Sequence, residues 1–250
     1  MTWFRAPKKL LPPRVAVPLR RLRFRMMDAE AVFNSIYRNN TWDGDESISG
    51  PGASLRHTEA IRRELPLLIE RLGIRTLLDA PCGDFNWMKE TKLRLDRYIG
   101  IDIVEDLVES NRLRHSSEGR TFIRKNLITD SLPEVDLILC RDCLVHFSYA
   151  DVRAAMRNFR ASKSTYLLTT TFTAKYLNTD IVTGDWRPLN LQEPPFNLPP
   201  PITLLDEQCS EGNGQHRDKR LGLWRTADIP QWAFYRGADC DEELPRERKS

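Results

Sequence analysis

Between residues 76 and 172 short apolar runs alternate with helical patterns, and this alternation restricts the chain to one broad architecture. The runs fall at 76–80, 98–102, 121–123, 135–140 and 166–172. Between them, 85–93, 104–114 and 149–160 carry helical spacing, the last with Val152, Ala155, Met156 and Phe159 on one side. Before them, Ile61, Leu65, Leu68 and Leu72 recur at the spacing of one helix face, with Gly73 as a stop and Pro66 as a kink or second start. Strands that alternate with helices form a parallel sheet with right-handed crossovers and helices on both faces. Ligands of such sheets sit at the carboxyl ends of the strands. The candidate residues are therefore Asp79 to Asp84, Asp102, Asn126 and Arg141 to His146.

Composition supports a folded domain. The chain has 250 residues, 40% of them hydrophobic, enough for a sizeable core. No apolar stretch approaches the length of a membrane-spanning helix. The formal charge of +3 is unevenly placed. Residues 1–25 hold eight basic groups and no acid, so the rest is mildly acidic. Four prolines in that arm argue against a long helix there, and no apolar h-region marks a secretory signal. Residues 1–27 read as a basic extension that is flexible or loosely docked, that meets an anionic surface or partner, or that targets the chain. Five widely spaced cysteines suggest no disulfide framework and fit a reducing, cytoplasmic setting. Cys140 and Cys143 form a CxxC, but no second ligand pair completes a zinc site, so no metal is expected and packing is the preferred reading.

The main domain is expected over 28–236, with an N-terminal cap at 28–58 and a charged tail at 237–250. Residues 184–201 hold six prolines and cannot be helix or central strand, so 175–201 is read as an ordered lid over a substrate. Two further strands, 202–209 and 219–226, form a hairpin.

The first strand ends in Asp79-Ala80-Pro81-Cys82-Gly83-Asp84, a turn expected to aim backbone N–H groups at a ligand. The second ends in Asp102, placed to accept hydrogen bonds from ribose hydroxyls. A dinucleotide site asks for three glycines around a pyrophosphate, whereas this turn has one glycine and an acid at each end. Carboxylates repel phosphate and welcome a cationic nucleoside, and S-adenosylmethionine is such a ligand.

The segments LLDAPCGDFNWM, YIGIDIVEDLVESN, FIRKNLI and VDLILCRDCLVHFSYADV resemble class I S-adenosylmethionine-dependent methyltransferases over about residues 72–172. Pro81 and Cys82 stand where the family's first motif usually has glycines. The resemblance implies a seven-stranded, mostly parallel, Rossmann-like sheet with an antiparallel last strand. It implies that Asp79, Ala80, Pro81, Cys82 and Gly83 wrap the methionine part of the cofactor, Asp102 holds the ribose and Ile103 covers adenine. Asn126 and Leu127 would lie at the adenine edge, with Arg141 and Asp142 where sulfonium and acceptor meet. The segment WDGDESISGPGASLRHT also resembles the N-terminal part of a bacterial methyltransferase group associated with polysaccharide or small-molecule biosynthesis.

Such an enzyme aligns the acceptor and helps remove its proton. His146 is the leading base candidate, its alternative a structural histidine capping the next helix; Asp142 and His57 are lesser candidates. Trp42, Trp186 and Phe196 form an acceptor wall or pack in the core. The expected acceptor is a hydroxyl on a small molecule or glycan. A nucleic-acid or protein acceptor is the alternative, weakly supported by the basic arm, and a non-catalytic cofactor-binding module is a third reading.

Overall fold

The computed structural model describes residues 13–174, 177–210 and 214–230. Its centre is one seven-stranded sheet built from β1 (Thr76–Asp79), β2 (Arg97–Asp102), β3 (Arg120–Arg124), β4 (Leu137–Cys140), β5 (Tyr166–Phe172), β6 (Thr203–Asp206) and β7 (Lys219–Arg225). The strand order is β3-β2-β1-β4-β5-β7-β6, and β7 runs antiparallel to both neighbours. This is the Rossmann-like arrangement expected, and the order reverses between β1 and β4, which pair in parallel.

Successive strand residues point to opposite faces, and each face buries a different set. Leu77, Leu137, Leu139 and Leu168 pack with Ile61, Leu65, Leu68 and Ile69 of α3 (Glu59–Leu72) and Val108 of α4 (Glu105–His115). Leu78, Ile138 and Cys140 pack on the other face with Val152, Ala155, Met156 and Phe159 of α5 (Tyr149–Ala161). Pro66 lies inside an unbroken α3, which stops at Gly73 in the left-handed conformation (φ 65°). The helix expected over 85–93 shrinks to a single 3₁₀ turn, Met88–Glu90.

The basic arm differs from expectation. Residues 13–25 form α1 (Pro13–Arg25), despite Pro18 within it. Pro13 opens the helix, where its missing N–H costs nothing, and tertiary contacts hold the remainder. Phe24 is buried against Val32 and Ile36 of α2 (Ala29–Arg38), a helix capped by the Asp28 side chain. A Cβ on Gly184 would fall within 2.9 Å of the Phe24 ring, so backbone and ring are in close contact. Arg20 and Arg21 bind the two carboxylate oxygens of Asp185 at 3.0 and 2.5 Å. We therefore expect Phe24→Ala to cost about 2–4 kcal/mol of unfolding free energy, read from urea titration. An unchanged midpoint and slope would detach α1 from the fold. Residues 1–12, the 237–250 tail and Cys240 lie outside the described residues; the other four cysteines are buried thiols.

The proline-rich segment is mostly core. Leu189, Leu191, Phe196 and Leu198 are buried under the sheet face that holds α5. What the sequence offered as a lid is for most of its length a packed strap, because its apolar residues complete a face that one helix cannot cover.

Candidate functional site

The turn after β1 does not present free N–H groups. Ala80 N–H donates to Leu139 O (2.8 Å), Cys82 N–H to Ile101 O (2.8 Å), Gly83 N–H to Asp102 Oδ2 (3.1 Å) and Asp84 N–H to Ser49 Oγ (3.3 Å). Pro81 has no N–H. Every donor of the turn is thus committed inside the protein, and no phosphate cradle remains. Gly83 also meets the cap closely: it has φ 53°, and a Cβ there would stand 2.3 Å from Ser49 Oγ. Asp84 anchors the same cap loop, accepting from Ser47 Oγ (2.9 Å) and Ile48 N–H (3.0 Å).

Two buried carboxylates remain close to the cleft. Asp102 accepts from Gly83 N–H and, through Oδ1, from Val104 N–H at 2.9 Å, and burial lifts its pKa to about 6 against those bonds. Asp79 accepts from the Tyr98 hydroxyl at 2.5 Å. Burial raises it to about 7; the Tyr98 bond opposes this, and the Asp102 charge adds to it.

A largely apolar cavity, open to solvent, lies over the ends of β1, β2 and β3. Pro81, Gly83, Asp102, Ile103, Asn126 and Leu127 line one side, and Phe33, Tyr37 and Trp42 of the cap line the other. Asn126 spends its side chain locally, Oδ1 accepting from Ile128 N–H at 2.9 Å, and shapes the wall as a turn. Cys143 also lines this cavity, and Cys140 and Cys143 belong to the core cluster on this face of the sheet. Among the described residues no group of three or more His, Cys, Asp or Glu could hold a metal.

A second, wider cleft adjoins the first at Pro81, Gly83, Ser49 and Trp42. Asp79, Cys82, Arg141, Asp142, His146, Trp186, His216 and Lys219 line it. His146 follows β4 in a 3₁₀ turn, Leu144–His146. Its Nδ1–H donates to Asp185 O at 2.8 Å, because a carbonyl only accepts. That fixes the tautomer and leaves Nε2 as the lone-pair nitrogen. Burial depresses its pKa, outweighing the Asp185 bond and the Asp142 charge, so the ring is neutral at neutral pH. The Trp42 ring lies 4.9 Å from it, tilted by 34°.

Arg187 holds this turn in place. Its guanidinium donates to Leu144 O (3.0 Å), Val145 O (3.0 Å), Phe147 O (2.8 Å) and Thr179 O (3.0 Å). Gly184 N–H adds a bond to His146 O at 2.8 Å. The strap therefore braces the His146 turn from below, and its Trp186, partly exposed, turns toward the cleft beside His216, 4.8 Å between ring centroids.

Four charges from distant parts of the chain close the floor. Arg141 pairs with Glu207 (2.6 Å) and Asp142 (3.1 Å), and Lys219 donates to Asp142 at 2.7 Å. Burial alone would raise the Asp142 pKa, but Arg141 and Lys219 hold it well below the usual carboxylate range. A carboxylate so acidic is a poor proton acceptor, which argues against the base role considered for Asp142.

Several residues read from the sequence stand elsewhere. Phe196 is fully buried, edge-on to Tyr149 at 5.2 Å, so it is core and not acceptor wall. Ala80 is buried in the sheet core. His57 bonds within the cap, Nδ1 to Ser54 Oγ at 2.9 Å, and does not line either cavity. Phe33, Tyr37, Arg20, Glu207, His216 and Lys219 escaped sequence reading. Only their position far from any motif hid them, since each meets the site through tertiary contact.

No family model and no curated protein matches this chain. Several solved structures resemble part of this chain. The magnesium protoporphyrin IX methyltransferase of Synechocystis PCC 6803, solved with bound SAM, is 14% identical over 62% of this chain and 81% of that one, with a TM-score of 0.44. The methyltransferase domain of bacterial CtHen1 is 11% identical over 48% and 67%, with a TM-score of 0.42. An amino pentose methyltransferase of Micromonospora echinaspora, also SAM-bound, is 18% identical over 47% and 53%, with a TM-score of 0.40. The likeness is partial, and the functional reading rests on the side chains.

Proposed function

We propose that the protein is an S-adenosylmethionine-dependent methyltransferase acting on a hydroxyl of a small molecule or glycan. One observation carries this reading: the cleft wall at β1 and β2 offers two buried carboxylates and no free turn N–H. Such a wall rejects a phosphate and rewards a cationic, phosphate-free nucleoside. In this reading the adenosine lies in the first cavity, with Asp102 toward the ribose and Ile103, Asn126 and Leu127 around the base. Pro81 to Gly83 then mark where the methionine part passes into the second cleft, with Asp79 near its ammonium.

Bound there, S-adenosylmethionine supplies a methyl group already activated by a sulfonium. The chain supplies position and a proton acceptor. Trp42, Trp186 and His216 offer flat faces to a sugar or other ring. His146 Nε2 takes the hydroxyl proton, and Arg187 and Asp185 fix its ring. Asp102→Ala is expected to weaken S-adenosylmethionine binding by about 1.5–3 kcal/mol, the scale of lost hydrogen bonds to a charged group. Calorimetric titration reads this directly, and an unchanged Kd in a folded variant would remove Asp102 from the site.

A further inference from the structure

The outer face of α1 is an apolar stripe framed by arginines. Leu19, Leu22 and Met26 are 53, 58 and 84% exposed, and their spacing of three and four puts them on one side of the helix and the turn that ends it. The inner side is fully used: Phe24 enters the core, and Arg20 and Arg21 reach Asp185. On a helical projection Arg25 flanks the stripe on one side and Arg23 on the other, and both are exposed. Neither forms an ion pair with the described residues. Residues 1–25 carry eight cations and no anion, with Trp3, Phe4, Leu10 and Leu11 also in that stretch of sequence.

We propose that α1 is a docking surface for an anionic lipid bilayer, lying parallel to it with Leu19, Leu22 and Met26 inserted at the headgroup boundary and the arginines among the lipid phosphates. A basic helix with a narrow apolar stripe and low overall hydrophobicity is the form that binds in the interface plane rather than across it. Charge selects this occupant over a second copy of the chain. Two copies meeting through this face would set Arg23 and Arg25 against their counterparts, whereas an anionic surface neutralises them.

The test is flotation of the full chain with vesicles of equal parts phosphatidylcholine and phosphatidylglycerol, and with phosphatidylcholine alone. The protein is expected to float with the anionic vesicles, to float poorly with neutral ones, and to be released as salt rises from about 0.05 M to about 0.5 M. Replacing Leu19, Leu22 and Met26 together by Ser should weaken binding tenfold or more, with the melting temperature unchanged because these side chains face solvent. Should that variant fail to fold, Arg23→Gln and Arg25→Gln serve instead, each expected to cost about fivefold. No vesicle binding at low salt overturns the proposal. Equal binding to neutral vesicles overturns it, as does a wild-type dimer that the serine variant dissolves in the absence of vesicle binding.

Discussion

On the proposed function, His146→Ala is expected to slow methyl transfer by about 10²–10⁴-fold, the range of a lost general base, while leaving S-adenosylmethionine affinity nearly unchanged. The imidazole is held on three sides: Nδ1–H is tied to Asp185 O, Trp42 lies against the ring, and Arg187 and Gly184 fix the backbone. Nε2 is what remains for an acceptor hydroxyl. Asp142 is no substitute, since Arg141 and Lys219 keep it ionised and weakly basic. The base must be neutral to act. Because burial lowers the His146 pKa, the rate should rise with pH and level off below the ordinary histidine value of 6.5. A screen of sugars and small hydroxylated compounds with product detection supplies the acceptor. Equal losses in turnover and melting temperature would assign His146 to structure, as would near-normal turnover.

Asp79→Asn is expected to move stability and affinity in opposite directions. The buried Asp79 carboxyl has a folded-state pKa of about 7 against an ordinary value of 3.8. The folded chain therefore holds this proton more tightly than the unfolded chain. That contribution is complete at acid pH and is lost as pH rises from the ordinary value through about 7. At pH 8 the ionised carboxylate is a net cost, and a neutral amide of the same shape removes it. The gain should be at most about 4 kcal/mol, from a shift of about three units at 1.36 kcal/mol each. The same amide loses the attraction for the cofactor's cationic end, so binding weakens. A variant less stable than wild type at pH 8 would show that the ionised Asp79 is already compensated within the protein.

The sheet was legible because its central strands, β1, β4 and most of β2, are short apolar runs between turn signals, as parallel strands buried on both faces must be. The runs at 76–80 and 166–172 became β1 and β5 almost unchanged. That Asp102 and Ile103 would line a cavity was legible too, since topology alone carries the end of β2 to the crevice beside β1. Local pattern failed where distant contacts decide. Pro18 argued against a helix, but Phe24 and the Asp185 pairings hold one. The prolines of 184–201 disguised Leu189, Leu191 and Phe196, which fill a sheet face. Gly83 stood out as a ligand glycine, while its neighbour in space is Ser49, 34 positions earlier. Arg141 found Glu207, and Asp142 found Lys219, across 66 and 77 positions that no spacing rule connects.

The most direct measurement is calorimetric titration of the full chain with S-adenosylmethionine, its demethylated product, ATP and NAD. The committed turn donors and the paired carboxylates predict saturable one-to-one binding of the first two and none of the phosphate-bearing pair. They also predict that the affinity for S-adenosylmethionine falls as pH drops through about 7 and then about 6, as Asp79 and Asp102 take up protons. Absence of S-adenosylmethionine binding, or tight binding of ATP or NAD at the same site, would contradict the account.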